Sequence, residues 1–371
     1  MVIIQQRFIP TQAGVRRVLA LARAMSENGE SVRIIYLASS EGKICDEEIP
    51  NVTYEYWGDS LYKNNQFVGM ISSAWKLLFH LPNDVIYYYG MNCLVMLLLL
   101  IANRKHTYFH EFTEYPGFIF GDSIWGRVKK RIHVWYMKKC YHVFVISKRL
   151  KEYCEVNGVP ESQVTILNMF VDSSRFKNIN KNTAEKYIAY CGNGENYKDG
   201  VDNLIESFSI IAKKRSDVKL KIVGVGPEKD REIQTSLIIA NNLQKSVSLL
   251  GRISPEHVPD FLSNATILAL ARPENIQAAY GFPTKVGEYL STGKPVVVTR
   301  VGELEDYLKD GESCLFAKPD SPEDFAEKLT WLLDHPVEGT NIGRNGKKVA
   351  ETCFNSRHEV LKVLKLLKPL S

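Results

Sequence analysis

Lys285, Gly287 and Glu288 stand within four positions of one another in the run ARPENIQAAYGFPTKVGEYLSTGKPVVVT. The run reads as strand, long loop, helix, strand. Pro283 suits a helix N-terminus and Gly293 its stop. A lysine in the first turn opposes the helix dipole, a conflict of about half a kcal/mol. A glycine inside the helix costs about 1 kcal/mol more than alanine. Two local penalties in one short helix point to a ligand that needs a positive charge and a close backbone. A carboxylate at Glu288 can accept from two vicinal hydroxyls, as a ribose offers. On spacing alone, an ordinary solvated helix glutamate is the simpler reading.

Other loops follow strands in the same way. In CGNGENYKDGVDNLI, Gly192 and Asn193 loosen the backbone, and Lys198 sits just before the next helix. A lysine beside exposed amides suits a diphosphate; a solvated turn lysine is the plain alternative. In VGVGP, the glycines around Val225 permit a sharp turn and close approach of a ligand. In IPTQAGVRR, Gly14 opens a helix whose N–H groups can face an anion, or it is an ordinary turn glycine. In FHEFTEYPG, His110 and Glu111 are expected at the carboxyl end of a strand. A lone histidine there is otherwise a satisfied structural residue.

The elements that position these loops alternate regularly. Strands are expected at VIIQ, SVRIIYL, residues 84–89, HTYFH, HVFVIS and VTIL. A second series runs KYIAYC, VKLKIVG, SVSLLG, TILALA and PVVVT. Helical periodicity lies between them, and alternation of this kind implies parallel sheets built from right-handed βαβ units. In open parallel sheets, ligands bind beyond the carboxyl ends of the strands. The fold class expected is therefore α/β, with two Rossmann-like, doubly wound parallel-sheet domains facing a cleft. The first occupies residues 1–175, a polar linker 176–186, and the second domain 187–354. A last helix over 355–371 is expected to return to the first domain.

The length of 371 residues suits two such domains, and 45% hydrophobic with 24% charged residues is a globular composition. The net charge of +5 is too small for a nucleic-acid binder but favours anionic ligands or surfaces. The 7 cysteines form no CxxC pair and their number is odd, so a reducing compartment fits and zinc spacing is absent. The opening MVIIQQRFIP reads as a strand rather than a leader. CLVMLLLLIA is about half the length of a bilayer span. A cytoplasmic protein is expected.

Taken in order, VISKRL, ILNMFVDSSRF, YCGNGENYKDGVDNLIESF, LKIVGVGP, VSLLGRIS and EYLSTGKPVV resemble glycosyltransferase family 4, a retaining family of the GT-B fold. The resemblance covers nearly the whole chain. It implies that Lys198 holds a donor diphosphate, that Val225 and Arg252 flank the base, and that Glu288 holds the ribose. It implies a contact from His110 to the transferred sugar. Gly14, Glu111 and Gly192 complete the expected substrate-binding set. Family members often carry a second glutamate eight positions before the first-named one, where this chain has Tyr280; Glu274 and Gln277 are candidates for its contact. The family's arginine ahead of the diphosphate lysine corresponds to Asn193, and its charge is available from Lys285 or Arg272. The string YGFPTKVGEYLSTGKP is similar to a recurrent variant of the motif.

The resemblance implies a retaining, metal-independent hexosyltransferase-like enzyme without a cofactor. Its donor would be a nucleotide sugar and its acceptor a glycan or lipid-linked sugar, in bacterial surface-polysaccharide synthesis. A nucleotide-sugar epimerase of the same fold and a non-catalytic binding subunit are the competing readings. Finally, IWGRVKKRIHVWYMKKC contains no acidic residue. On a helical wheel Trp125, Val128, Ile132 and Trp135 share one face, with Arg127, Lys130, Arg131 and Lys138 roughly opposite. Such a helix over 124–140 can lie peripherally on anionic lipid, although a domain helix packed through its apolar face with its basic side in water is the simpler expectation.

Overall fold

The computed structural model describes residues 1–8, 13–39, 47–57, 66–81, 84–102, 107–176 and 185–368. Most of the expected linker, 176–186, and the loop 9–12 before Gly14 lie outside the described residues. The chain divides into two compact units, Met1–Phe170 with Ser356–Ser371, and Val171–Asn355.

The first unit is a seven-stranded, wholly parallel sheet. In chain order it contains β1 (Val2–Phe8), α1 (Ala13–Glu27), β2 (Val32–Ser39), β3 (Val52–Tyr56), α2 (Gln66–Phe79), β4 (Ile86–Tyr89) and α3 (Cys93–Ala102). There follow β5 (Tyr108–Phe112), α4 (Pro116–Phe120), α5 (Ile124–Lys139), β6 (His142–Val145), α6 (Lys148–Val156) and β7 (Val164–Ile166). The strand order is β3-β2-β1-β4-β5-β6-β7. The order reverses between β1 and β4, the doubly wound pattern, so a crevice is expected beyond their carboxyl ends.

The second unit repeats the scheme with β8 (Tyr187–Cys191), α7 (Asn196–Asp199), α8 (Val201–Ala212), β9 (Lys219–Val223), α9 (Glu228–Ala240), β10 (Val247–Gly251) and α10 (Val258–Ser263). It continues with β11 (Ile267–Leu270), α11 (Ile276–Tyr280), α12 (Lys285–Ser291), β12 (Val296–Thr299), β13 (Leu315–Ala317), α13 (Pro322–Asp334) and α14 (Pro336–Cys353). Its parallel order is β10-β9-β8-β11-β12-β13, and here the reversal falls between β8 and β11. The fold class read from the sequence is the one observed, two Rossmann-like parallel-sheet domains.

The closing helix α15 (Ser356–Leu367) belongs to the first unit. Its Val360, Val363, Leu364 and Leu367 are buried in the same core as Val18, Leu21 and Met25 of α1. Glu359 is buried and accepts from the backbone N–H of Asn168 at 2.8 Å. Lys362 donates to both Glu359 and the carbonyl of Ile166. The helix is therefore held by apolar area and by a buried, satisfied carboxylate.

Helices cover both faces of each sheet, so the central strands are buried throughout. In β5 all five residues are buried. Phe109 and Glu111 face α1, and His110 faces α5. Three histidines of this unit are buried, His110 of β5 and His133 of α5 against each other on one face of the sheet and His142 of β6 on the other face, and they are 0%, 0% and 4% exposed. Burial pushes His110 down to about 3, against a backbone contact to Tyr88 that acts the other way. Burial also holds His133 well below 6.5 and lowers His142 to about 4. All three are neutral in the fold and titrate near 6.5 when unfolded. Their stability contribution is intact above pH 6.5 and is lost as the pH falls, because the unfolded chain then binds more protons. We predict that the unfolding free energy falls between pH 6.5 and 4.5, by about 1.4 kcal/mol per histidine per pH unit at most, and that the thermal midpoint falls with it. A His142→Phe variant should show a shallower slope. Equal slopes in wild type and variant would contradict this origin.

Candidate functional site

In the second unit, the loops after β8, β9, β10 and β11 converge, because these four strands are neighbours in the sheet. The loop 192–194 and the loop 224–226 lie backbone against backbone. A methyl group on Gly224, whose φ is 133°, would run into the carbonyl of Gly192. One on Gly192 would run into the Lys285 stem and the Tyr190 hydroxyl. Only glycine permits this approach. The N–H of Gly224 donates to the carbonyl of Gly251 at 2.7 Å, which brings the start of the Arg252 loop alongside.

The centre of the cluster is Asp199, 3% exposed. Its carboxylate accepts from the Tyr190 hydroxyl at 2.5 Å and from Lys285 Nζ at 3.0 Å. Burial alone would raise its pKa, but the Lys285 ammonium, the Tyr190 hydroxyl and the nearby Arg272 outweigh it and hold the carboxyl below its usual value. Asp199 was not singled out by sequence reasoning, since the string YKDG looks like a solvated turn. It explains the lysine that opposes the dipole of α12: the charge of Lys285 is held by a carboxylate from another loop. Lys285, Arg272 and Asp199 together carry one net positive charge.

Around this centre, Tyr289 clamps α12 to the end of β8: its hydroxyl accepts from the Cys191 N–H at 2.8 Å and donates to the Cys191 carbonyl at 3.1 Å. Arg272 is buried, donates to the carbonyl of Gln277 at 3.2 Å, and has its own carbonyl bound by the Thr299 hydroxyl. Gln277 is buried too, while Glu274 is exposed with its N–H bonded to Asp320. Tyr280, Val225 and Lys198 are half-buried, and Asn193 and Arg252 are exposed. The side chain of Asn275 donates to the carbonyl of Tyr197 at 2.7 Å, which ties the 272–277 loop to α7, the turn that carries Lys198.

Glu288 is 28% exposed and accepts from Arg175 Nη1 at 2.8 Å. Arg175 also donates to the carbonyl of Pro255 at 3.0 Å. Arg175 lies in the 3-10 turn Ser173–Phe176 and was likewise missed; its sequence signal was the ILNMFVDSSRF segment, in which only the whole string was weighed. The arginine fixes Oε1 of Glu288, and Oε2 has no hydrogen-bond partner among the described residues. A fixed carboxylate with one oxygen open is suited to accepting from hydroxyls. Burial raises the neighbouring Cys191 thiol to about 12, with Glu288 adding to the effect, so this cysteine is no thiolate nucleophile at neutral pH.

The first unit corrects two expectations. His110 and Glu111 do not end their strand: β5 continues through Phe112, with Glu111 paired to Phe144 and Phe112 to Val145 of β6. His110 is fully buried, with Nδ1 3.3 Å from the Tyr88 carbonyl and Nε2 3.0 Å from His133 Nε2. It offers no polar atom to a sugar in this geometry. Glu111 accepts from Arg17 Nε and from the Tyr87 hydroxyl, each at 2.5 Å. Arg17 in turn donates to the carbonyls of Leu167 and Asn168. This is a buried structural network rather than a substrate contact. The strand's mouth instead presents Thr113, whose hydroxyl lies 3.3 Å from that of Tyr89. Gly14 is half-buried at the start of α1, and a methyl group there would come within 2.8 Å of the Tyr89 ring.

Among the described residues, no group of three or more His, Cys, Asp and Glu side chains is placed to hold a metal ion.

Residues 14–175 match the family model described as Glycosyltransferase Family 4, and residues 172–349 the one described as Glycosyl transferases group 1. The chain is 31% identical over 173 residues to the uncharacterized glycosyltransferase MJ1178 of Methanocaldococcus jannaschii, covering 46% of this chain and 45% of that protein. It is 26% identical over 232 residues to the capsular polysaccharide biosynthesis glycosyltransferase CapM of Staphylococcus aureus, covering 58% of each. The matches thus span about half the length of these curated relatives. Among solved structures, Anabaena HepE in complex with UDP and glucose superposes with a TM-score of 0.77 at 14% identity, over 99% of both chains. That likeness is one of fold.

Loss of the Lys285 ammonium strands a buried carboxylate. Lys285→Met should lower the stability of the second unit by about 3 kcal/mol, and the double variant Lys285→Met/Asp199→Asn should recover most of it. Urea unfolding checks both, and a Lys285→Met variant as stable as wild type would show that the pair carries no such strain.

Proposed function

We propose that the chain is a retaining glycosyltransferase that takes a sugar from a nucleotide-sugar donor bound on the second unit. The observation that carries this reading is the fixed carboxylate of Glu288 beside two interlocked glycine loops and a cluster of net positive charge. Glu288 would accept from the ribose hydroxyls through its open oxygen. The Gly192 and Gly194 N–H groups donate to the Val223 carbonyl and the Tyr190 hydroxyl, so the N–H of Asn193 between them would face the diphosphate, with Lys198 and Lys285 supplying charge. Val225 and Arg252, from the adjacent loops, would flank the base. Arg272, Glu274, Gln277 and Tyr280 line the 272–280 loop, and Glu274 and Gln277 are the groups with which that loop would meet the sugar. The two family models and the relatives named above support this class of reaction.

The chemistry asked of these residues is electrostatic. As the glycosidic bond to the phosphate breaks, negative charge grows on the leaving diphosphate, and fixed cations and amides stabilise it without reorganising. Because Lys285 is shared with Asp199, its charge is positioned before the donor arrives. No step needs a metal ion or cofactor in this account, and no side chain is assigned as a nucleophile. The acceptor would be a glycan or lipid-linked sugar of a surface polysaccharide, bound by the first unit, with the reaction at the cytoplasmic side of the membrane. Thr113 at the mouth of β5 would make the contact to the sugar that the resemblance implied for His110.

A panel of nucleotide sugars with glycan acceptors tests the reading. Transfer with the donor's anomeric configuration kept, as read by NMR, is expected. Release of an epimerised sugar without an acceptor, or binding without turnover, would overturn it. Glu288→Ala should lower donor kcat/KM about thirtyfold, or about 2 kcal/mol, and Glu288→Gln should fall between. Lys198→Ala should weaken nucleoside diphosphate binding by about 1.5–3 kcal/mol, with less effect on the nucleoside. Transfer is expected to survive EDTA; loss restored by Mg²⁺ would overturn the cationic account.

A further inference from the structure

Helices α2, α3 and α5 lie side by side, α2 against α3 and α3 against α5. Their sequences, QFVGMISSAWKLLF, CLVMLLLLIA and IWGRVKKRIHVWYMKK, contain no Asp or Glu. The core side of α5 is made by Gly126, His133, Tyr136 and Met137. The expectation that its tryptophan face packs inward is therefore corrected. Trp125 is 75% exposed, Ile124 71% and Trp135 48%. On the neighbouring helices Phe79 is 63% exposed and Ile101 70%. These side chains contribute little to the core, and single-chain proteins rarely leave so many large apolar groups in water on one face.

The cations are on the same side. At about 100° per residue, Arg131, Trp135 and Lys138 fall on the outward face with Ile124 and Val128, and Arg127 and Lys139 flank it. All four of these basic residues are exposed. Asp122, ahead of the helix, pairs with Lys130 and lies near Arg127, and the cations still outnumber it; apolar groups interleaved with a net positive charge match a phospholipid interface. Tryptophan sits well at the headgroup level, and each basic residue gains from anionic lipid. A second copy of the chain is disfavoured, because a self-complementary contact would set Arg127, Arg131 and Lys138 against one another.

We propose that the face formed by α2, α3 and α5 seats the first unit on an anionic phospholipid bilayer. Trp125, Ile124 and Trp135 enter the headgroup boundary, and Arg127, Arg131 and Lys138 meet the lipid phosphates. Among the described residues no helix is long and apolar enough to cross a membrane, so this is a surface attachment. The inference goes beyond the proposed transfer reaction and stands on the surface alone, so it is read by binding rather than by turnover.

The test is co-sedimentation of the full chain with vesicles of phosphatidylcholine, with and without about one third phosphatidylglycerol, alongside tryptophan fluorescence. Binding to the anionic vesicles at least tenfold tighter than to the neutral ones, weakening with salt, and a blue shift are expected. Arg127→Glu/Arg131→Glu/Lys138→Glu should weaken it a hundredfold or more. Trp125→Ala/Trp135→Ala should weaken it about tenfold and remove most of the blue shift, and both variants should keep the wild-type unfolding temperature. Equal binding to both lipids, or unchanged binding of either variant, would overturn the proposal. So would a wild-type dimer that the tryptophan variant dissociates, since the face would then be covered by a second copy.

Discussion

A carboxylate removed from water must be answered by its surroundings, and in the second unit that carboxylate is Asp199. Tyr190 reaches it from the end of β8, Lys285 from α12, and Arg272 from the loop after β11. Three segments distant in sequence thus share one charge. Lys285 cannot relax toward solvent without leaving Asp199 unpaired, which sets the direction of its stem across Gly192. The glycine is then required by the lysine, and the tight loop by the glycine. Even the tension between Lys285 and its own helix is maintained by this one acid.

The first unit answers a similar demand with a different result. Glu111 is as buried as Asp199, and Arg17 and Tyr87 satisfy it with short hydrogen bonds. Arg17 also donates from its two amino groups to the carbonyls of Asn168 and Leu167, where the chain leaves the last strand of the sheet. The network closes on itself and joins α1, β4, β5 and the segment after β7. In the second unit the equivalent cluster of Lys285, Arg272 and Asp199 keeps a net positive charge, and Glu288 beside it keeps an open carboxylate oxygen. Closed networks hold folds together; a site needs one that is incomplete.

Much of this was legible from residue order. Alternating strands and helices pointed to two parallel sheets, and the loop Gly192–Gly194 lies after β8, where the strand order reverses, with the loop 224–226 after the neighbouring β9. What escaped was decided by partners. The end of β5 depends on its register with β6, and hydropathy in HTYFHEF does not mark it; hence the misplacing of His110. Arg175 and Asp199 look like residues of solvated turns until their partners are known. The strand β13 is three residues long, and α14 carries three glycines that argue against a helix. Those glycines are where α14 presses on Pro295, on the backbone of Gly293 and Lys294, and on Leu290 and Ser313, so tertiary packing overrides propensity. A helical wheel shows that α5 has an apolar side, but not which side the sheet claims.

The path of the chain has a temporal side. It leaves the first unit after Phe170, builds the whole of the second, and only then supplies α15. A ribosome therefore releases the second unit's complete set of strands before the first unit has received its last piece of core. During that interval Val18, Leu21 and Met25 of α1 lack the cover of Val360, Val363 and Leu364. The unit whose strands come first along the chain is closed only after the other, and until α15 docks its apolar groove is uncovered, the kind of transient exposure that favours aggregation during synthesis.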